Sequence, residues 1–275
     1  ADEKIAKAKL YICGLGHEEC VINGKLVTDA VMEAGWTDYN KSCLYCAYDV
    51  SELVTAGDNA ICVKLGDGMY RVPGGRYVYF PRSYGDRKLL ATLRIIYEDG
   101  RTQEISTGDD WKIGESPILF CCIYGGEDYD ACLAEELIGK IPSEENGWAK
   151  AKKMQSPKGV LMARECPPIR IEERFTAKSV KKLGEGHFMV DVGKNGAGFV
   201  ELVLHGTTKE NRGNWISMYP AEMINETDNG VDQRSCTQSW SEKFDCVIRD
   251  SYRMAGTGEE RWHPSFCYHG FQYVE

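Results

Sequence analysis

Apolar and polar residues alternate along most of this chain. The runs "KLYIC" (Lys9–Cys13), "CVINGKLV" (Cys20–Val27), "NAICVKLG" (Asn59–Gly66), "LLATLRIIYEDGRTQEIST" (Leu89–Thr107), "HFMVDV" (His187–Val192), "GFVELVLHG" (Gly198–Gly206) and "NWISMYP" (Asn214–Pro220) have period two or are rich in β-branched residues. That is the pattern of half-buried strands. Asn23-Gly24 and Asp99-Gly100 lie between such runs. Both pairs offer the positive φ that a type I′ hairpin turn requires. Helical periodicity is confined to three short stretches: Tyr48–Gly57, "AEELIGK" (Ala134–Lys140) and "AEMIN" (Ala221–Asn225). The pattern predicts an all-β protein built as two antiparallel β-sandwiches.

The boundary between them is placed in Trp148–Arg170, which holds a cluster of lysines, Pro157, Gly159 and the Pro167-Pro168 pair. Consecutive prolines cannot continue a ladder and suit a connector. The division is therefore 1–158 and 159–275. Near the end, Phe271 and Tyr273 stand two apart and share one face of a strand, so that strand should bury at least one face inside the second sandwich. The glycine-rich "DVGKNGAGFV" (Asp191–Val200) resembles a phosphate loop in composition. Such loops work by opening a helix; here a strand pattern follows, and a tight connection between strands is the reading.

Charge and cysteine usage narrow the setting. The 275 residues carry a formal net charge of −9, which disfavours nucleic acid as a partner. No apolar run approaches the ~20 residues that span a bilayer, so no membrane association is expected, and the charged start "ADEKIAKAK" lacks the apolar core of a leader. The 12 cysteines sit mostly in apolar strand-like runs, where a cysteine acts as a small buried hydrophobe. Free thiols point to a reducing setting, either the cytoplasm or an anaerobic cell, and a cytoplasmic location is expected. "CLYC" (Cys43 to Cys46) has no second pair to complete a zinc site.

Two loops hold candidate binding residues. "AGWTDYNKS" (Ala34–Ser42) brings Trp36, Asp38, Tyr39 and Asn40 together. An aromatic face beside a carboxylate and an amide suits a sugar ring; the plainer reading has Trp36 and Tyr39 covering the edge of the core. "GGEDYDA" (Gly125–Ala131) holds Glu127, Asp128 and Asp130. Oxygen ligands so clustered suit calcium, whereas a loop-corner Asx-turn is the plainer reading. Calcium is the one cofactor to consider, and none is required. The adjacent acid pairs, such as Glu18-Glu19 and Glu259-Glu260, read as solvated faces, because neighbours in a strand point apart. From the residues alone, no catalytic residue is assigned.

The order of these motifs resembles the front of bacterial α-L-rhamnosidases. The resemblance begins with "KAKLYICGLG", "VINGKLV", "GWTDY", "YCAYDV" and "GDNAICVKLGDG", followed by "LLATLRIIYEDGRTQEISTGDDWK" and "PILFCCIYGGEDYDA". From "ECPPIRI" through "MVDVGKNGAGFVELVLHG" and "YPAEM" to "HPSFCYHGFQYVE", the chain is similar to the concanavalin-like sandwich that comes next in those proteins. The resemblance implies a galactose-binding-like jelly roll, then a concanavalin-like sandwich. It implies that the final strand leads toward an (α/α) barrel bearing the acids of an inverting hydrolysis, with this chain as the non-catalytic front section. It also implies a saccharide containing L-rhamnose as ligand. One departure stands out: the family often has Gly-Trp-Tyr where this chain has Gly68-Met69-Tyr70, which removes one stacking aromatic. The alternatives are a stand-alone carbohydrate-binding module, or an accessory sandwich of another glycosidase such as a β-galactosidase.

Overall fold

The computed structural model describes residues 4–74, 76–77, 82–137, 142–227, 229–234 and 247–275. Strands dominate, and the chain divides into two compact units. The first comprises residues 1–71, 83–115 and 141–171; the second comprises 72–82, 116–140 and 172–275.

In the first unit the long strand Ile5–Leu15 pairs antiparallel with Ser42–Asp49 on one side and Lys88–Tyr97 on the other. Thr102–Ser106 and Val160–Ala163 complete this five-stranded sheet at its two edges. A three-stranded sheet is formed by Lys25–Leu26, His17–Ile22 and Ile61–Gly66. The period-two pattern delivers Leu10 and Ile12 from one strand, Cys20 and Ile22 from another, and Leu93 and Ile95 from a third into one core. Each of these is at most 6% exposed.

The Asn23-Gly24 turn has φ of 51° and 79°, as a type I′ hairpin requires. The second hairpin differs from expectation. Gly100 has φ of 85° while Asp99 is not left-handed. The Gly100 amide donates to the Tyr97 carbonyl, and the Tyr97 amide to the Arg101 carbonyl. This is a three-residue loop with one glycine in the left-handed region, the next most common hairpin connection. The one or two turns expected in Tyr48–Gly57 come down to a single turn after a strand, in which the Leu53 and Val54 amides both reach the Val50 carbonyl. "AEMIN" falls in the short strands Pro220–Ala221 and Met223–Ile224. The described part of "AEELIGK" is helical, within Ala131–Leu137; residues 138–140 lie outside the described residues.

The structure moves the boundary from 158 to about 171. Val160–Ala163 pairs in parallel with Ser42–Asp49, and the guanidinium of Arg164 forms an ion pair with buried Glu33. The same Glu33 carboxylate accepts the Tyr48 hydroxyl and the Cys46 thiol. A carboxylate with this burial needs several donors, and the lysine- and proline-rich segment supplies the cationic one. Composition marked a connector there; the charge requirement of Glu33 makes its middle a strand of the first unit.

In the second unit the strands order as Ile118–Cys122, Gly126–Asp130, Asp250–Arg253 and Trp215–Met218 in one sheet. A second sheet runs Ser179–Gly184, His187–Gly198, His269–Val274 and Pro220–Ala221. Pairing is antiparallel except where Gly126–Asp130 meets Asp250–Arg253 in parallel. Met218, Tyr252, Trp262, Phe271 and Val274 form its core. The glycine-rich stretch after Asp191 is not a connection between strands. It lies within His187–Gly198, and its register against His269–Val274 shifts between Asp191 and Gly196. Glycines accommodate such an irregularity; Gly193 there has φ of 89°.

The ten described cysteines are unbridged, and eight of them are buried. Cys121 and Cys122 are both enclosed, each on its own face of the strand.

Two buried groups next to each other in the first unit set a pH response. Glu18 is 5% exposed. Its Oε2 accepts the Gly14 amide at 2.9 Å, while its Oε1 is buried without a hydrogen-bond partner. Burial, reinforced by the charge of Glu33, pushes its pKa up to about 8. His17 is driven down to about 4, chiefly by burial. The folded state holds the Glu18 proton to about pH 8, whereas the unfolded chain releases it near 4.5, so this group costs stability as pH rises through that window. His17 acts in the opposite sense, but only between about 4 and 6.5. Above pH 6.5 the Glu18 effect stands alone. Urea unfolding at pH 6.5 and pH 8 should show the wild type losing about 2 kcal/mol relative to Glu18→Gln; parallel curves for the two proteins would contradict this assignment. Phe271, 9% exposed in the second core, gives a second test: Phe271→Ala should cost roughly 3–5 kcal/mol, and an unchanged melting temperature would show that the ring does not support that core.

Candidate functional site

The loop that holds Trp36 closes on itself. The Thr37 hydroxyl donates to the Ser42 carbonyl at 2.5 Å, and the Lys41 and Ser42 amides donate to the Asp38 carbonyl. The Asp38 carboxylate accepts the Asn40 amide at 3.2 Å and faces Lys41 at 3.5 Å. Asp38 thus caps a tight turn while about half of its side chain stays open to solvent.

Tyr39 is the anchor. It is 2% exposed, with its ring edge-on to Tyr70 at 5.0 Å and to Tyr84 at 5.2 Å. Burial pushes its phenol pKa upward. Edge-to-face packing of this kind is favourable beyond its buried area. Tyr39 therefore cannot stack on a ligand, and of the four residues selected from sequence it takes the core-covering part. Trp36 does the reverse: it is 63% exposed, an unusual placement for so large an apolar ring. Asn40 is exposed beside it in sequence. The structure so retains Trp36, Asp38 and Asn40 at the surface and withdraws Tyr39. Met69 is 5% exposed and offers no open face to solvent.

The three acids of "GGEDYDA" go to three separate partners. They occupy the strand Gly126–Asp130, so successive side chains leave opposite faces. Glu127 is fully buried, and its carboxylate accepts the amides of Ser265 and Phe266 at 3.1 Å. Asp128 pairs with Arg76, whose guanidinium also lies over the Phe120 ring at 4.3 Å. Asp130 accepts the Cys132 and Leu133 amides at the start of the helix Ala131–Leu137 and pairs with Arg253 at 2.9 Å. That is a side-chain cap on the helix N-terminus. The clustering in sequence is thus resolved into an internal strut, an ion pair and a helix cap. Among the described residues the carboxylate oxygens of these three do not converge; the metal-ligating side chains that do converge are Asp250, Cys267 and His269.

Sequence reasoning passed over that group because Asp250 lies 17 residues before Cys267 and 19 before His269, outside any ligand motif. It also passed over Glu260, taken with Glu259 for a solvated pair. Glu260 is 6% exposed and accepts the Ala255 and Gly256 amides and the Tyr252 hydroxyl, each at 2.8 Å. Burial alone would raise its pKa, but these donors together with Thr207 outweigh it and bring the value down to about 2. The only local signal was the flanking "AGTG" (Ala255–Gly258), a glycine-bearing turn whose amides need an acceptor.

Comparison with known proteins places the chain. The α-L-rhamnosidase N-terminal domain matches residues 3–173, and the bacterial α-L-rhamnosidase concanavalin-like domain matches 181–275. An α-L-rhamnosidase of Streptomyces avermitilis is 32% identical over 278 aligned residues, covering 99% of this chain and 25% of that protein. The crystal structure of native α-L-rhamnosidase from Aspergillus terreus superposes with a TM-score of 0.86 at 31% identity, over 100% of this chain and 30% of the other. The Streptomyces avermitilis enzyme complexed with L-rhamnose gives a TM-score of 0.83 at 29% identity, over 99% and 25%. The chain spans about a quarter of the curated relatives it matches. The two domain matches are consecutive and together leave few residues uncovered, which decides against an accessory sandwich of a β-galactosidase. The chain belongs to the α-L-rhamnosidase family, of which it carries the N-terminal domain followed by the concanavalin-like domain.

Proposed function

We propose that this chain is the non-catalytic front section of a glycoside hydrolase that removes terminal L-rhamnose, and that its first unit contacts saccharide through Trp36. The observation that carries the saccharide contact is the opposite placement of the two aromatics in one loop. Tyr39 anchors the loop to the core, while Trp36 in the same loop is 63% exposed. An exposed indole in the same loop as the Asp38 carboxylate and the Asn40 amide offers a stacking face and hydrogen-bonding groups. A relative of like fold was crystallised with L-rhamnose, which supports the choice of sugar.

Hydrolysis with inversion needs one acid to protonate the leaving oxygen and a second carboxylate to activate water, roughly 6.5–9.5 Å apart across an open cleft. The acids Glu33, Glu127, Asp250 and Glu260 are each at most 6% exposed and hold backbone or side-chain donors instead. The catalytic pair is assigned to the further polypeptide that the relatives possess, since this chain covers about a quarter of their length. A docking face for such polypeptide is offered by Val160–Ala163, an edge strand of the first unit with Val160, Leu161 and Met162 between 45% and 67% exposed. Unpaired apolar edges of this kind favour association.

Calorimetric titration of the purified chain with L-rhamnose, with and without calcium, tests the saccharide contact. Binding in the millimolar range, about 4 kcal/mol, is expected, and it should weaken about tenfold or more in Trp36→Ala while folding is retained. Equal affinity in the variant would remove Trp36 from the site. Assayed on p-nitrophenyl α-L-rhamnoside, the chain should give no turnover above background. Turnover lost on substituting an acid of this chain would overturn the non-catalytic reading.

A further inference from the structure

The second unit holds a group of side chains that saccharide contact does not use. Asp250 opens the strand Asp250–Arg253, His269 opens His269–Val274, and Cys267 lies two residues before it. They are respectively 0%, 6% and 1% exposed. Each offers one ligand atom, and these atoms lie within 4.8 Å of one another. Cys267 Sγ is 3.2 Å from Asp250 Oδ1, His269 Nε2 is 3.0 Å from Asp250 Oδ2, and Sγ and Nε2 are 3.9 Å apart.

Thiolate, imidazole and carboxylate are the three ligand types of zinc, with bonds of roughly 2.0–2.3 Å, and tetrahedral ligands at those lengths stand roughly 3.2–3.7 Å apart. The sulfur and the nitrogen each meet a different Asp250 oxygen, and these two contacts and the sulfur–nitrogen separation lie within a few tenths of an ångström of that range; with one ligand atom from each residue, the three atoms lie within 4.8 Å of one another. A soft sulfur together with a borderline nitrogen selects zinc over calcium or magnesium.

The support around the group is that of a held site. The Glu127 amide donates to Asp250 Oδ1 at 3.0 Å, and the Glu127 carboxylate fixes the Ser265 and Phe266 amides immediately before Cys267. One buried residue thus orients the carboxylate and the turn that delivers the sulfur, as outer-shell partners of metal ligands do. Two wholly buried carboxylates, Glu127 and Asp250, also make this interior favourable for a cation.

The geometry points to a buried zinc site formed by Asp250, Cys267 and His269, positioned by Glu127. On binding, the Cys267 S–H bond is broken and its proton leaves to solvent, the sulfur pair goes to the ion, and His269 presents the Nε2 lone pair. Thiolate and carboxylate then balance the 2+ charge.

The test uses the full 275-residue chain, stripped with chelator and kept in a non-thiol reductant. Zinc chloride followed by gel filtration should leave one zinc per chain by mass spectrometry and raise the melting temperature. X-ray absorption at the zinc edge should show a single sulfur with nitrogen and oxygen neighbours. Cobalt should give a thiolate charge-transfer band that vanishes in Cys267→Ser, with zinc affinity falling by more than the ~10–100-fold that loss of a supporting residue costs. No retained zinc, two or more sulfurs around it, or a charge-transfer band that survives in Cys267→Ser would each overturn the site. If the variant does not fold, stoichiometry and sulfur count on the wild type decide.

Discussion

A carboxylate taken wholly out of water must have its charge met by donors, and in the second unit that requirement falls on Glu127. It has no exposed surface, and it reaches 138 residues along the chain to bind the Ser265 amide, then that of Phe266. Hydrogen bonds to a charged group contribute more than ordinary ones, about 1.5–3 kcal/mol each. Leaving the charge without them costs more than the bonds themselves. The turn before the last strand is fixed by this demand. With it are fixed the thiol of Cys267, the ring of Phe266 at 1% exposure, and the start of the strand that carries Phe271 into the core.

The same logic recurs at several other buried carboxylates, whereas Glu18, which has a single amide donor, keeps its proton instead. Glu33 draws Arg164 out of a lysine- and proline-rich stretch and so extends the first unit to about residue 171. Glu260 gathers the amides of the turn Ala255–Gly258. Asp130 caps the helix Ala131–Leu137 while pairing with Arg253. These acids act as internal struts. Glu127, Asp130 and Glu260 are thereby held by partners inside the fold and turned away from solvent.

Period-two alternation made the strands legible, since side-chain direction in a strand is decided locally. The Asn23-Gly24 turn was legible for the same reason, as a two-residue loop has little other choice. The Asp99-Gly100 hairpin was legible as a hairpin but not in type, because a single glycine serves both a two-residue turn and a three-residue loop. The boundary was misplaced because Pro167-Pro168 is visible in sequence whereas the Glu33–Arg164 pair spans 131 residues. Trp36 and Tyr39 looked equivalent in sequence; only the contacts of Tyr39 with Tyr70 and Tyr84 separate anchor from exposed face. Asp250, Cys267 and His269 left no trace in spacing, because the long connection between two strands, rather than a motif, brings them together.

Amide hydrogen exchange at Ser265 and Phe266, compared between wild type and Glu127→Gln, tests most directly whether buried carboxylates organise this fold. The neutral amide keeps the size of the side chain but removes the charge and half of its acceptor capacity. Protection of these two amides should fall at least tenfold in the variant, ahead of the amides in the strand Ile5–Leu15 of the first unit. Unchanged protection at both positions in a folded Glu127→Gln chain would contradict the account.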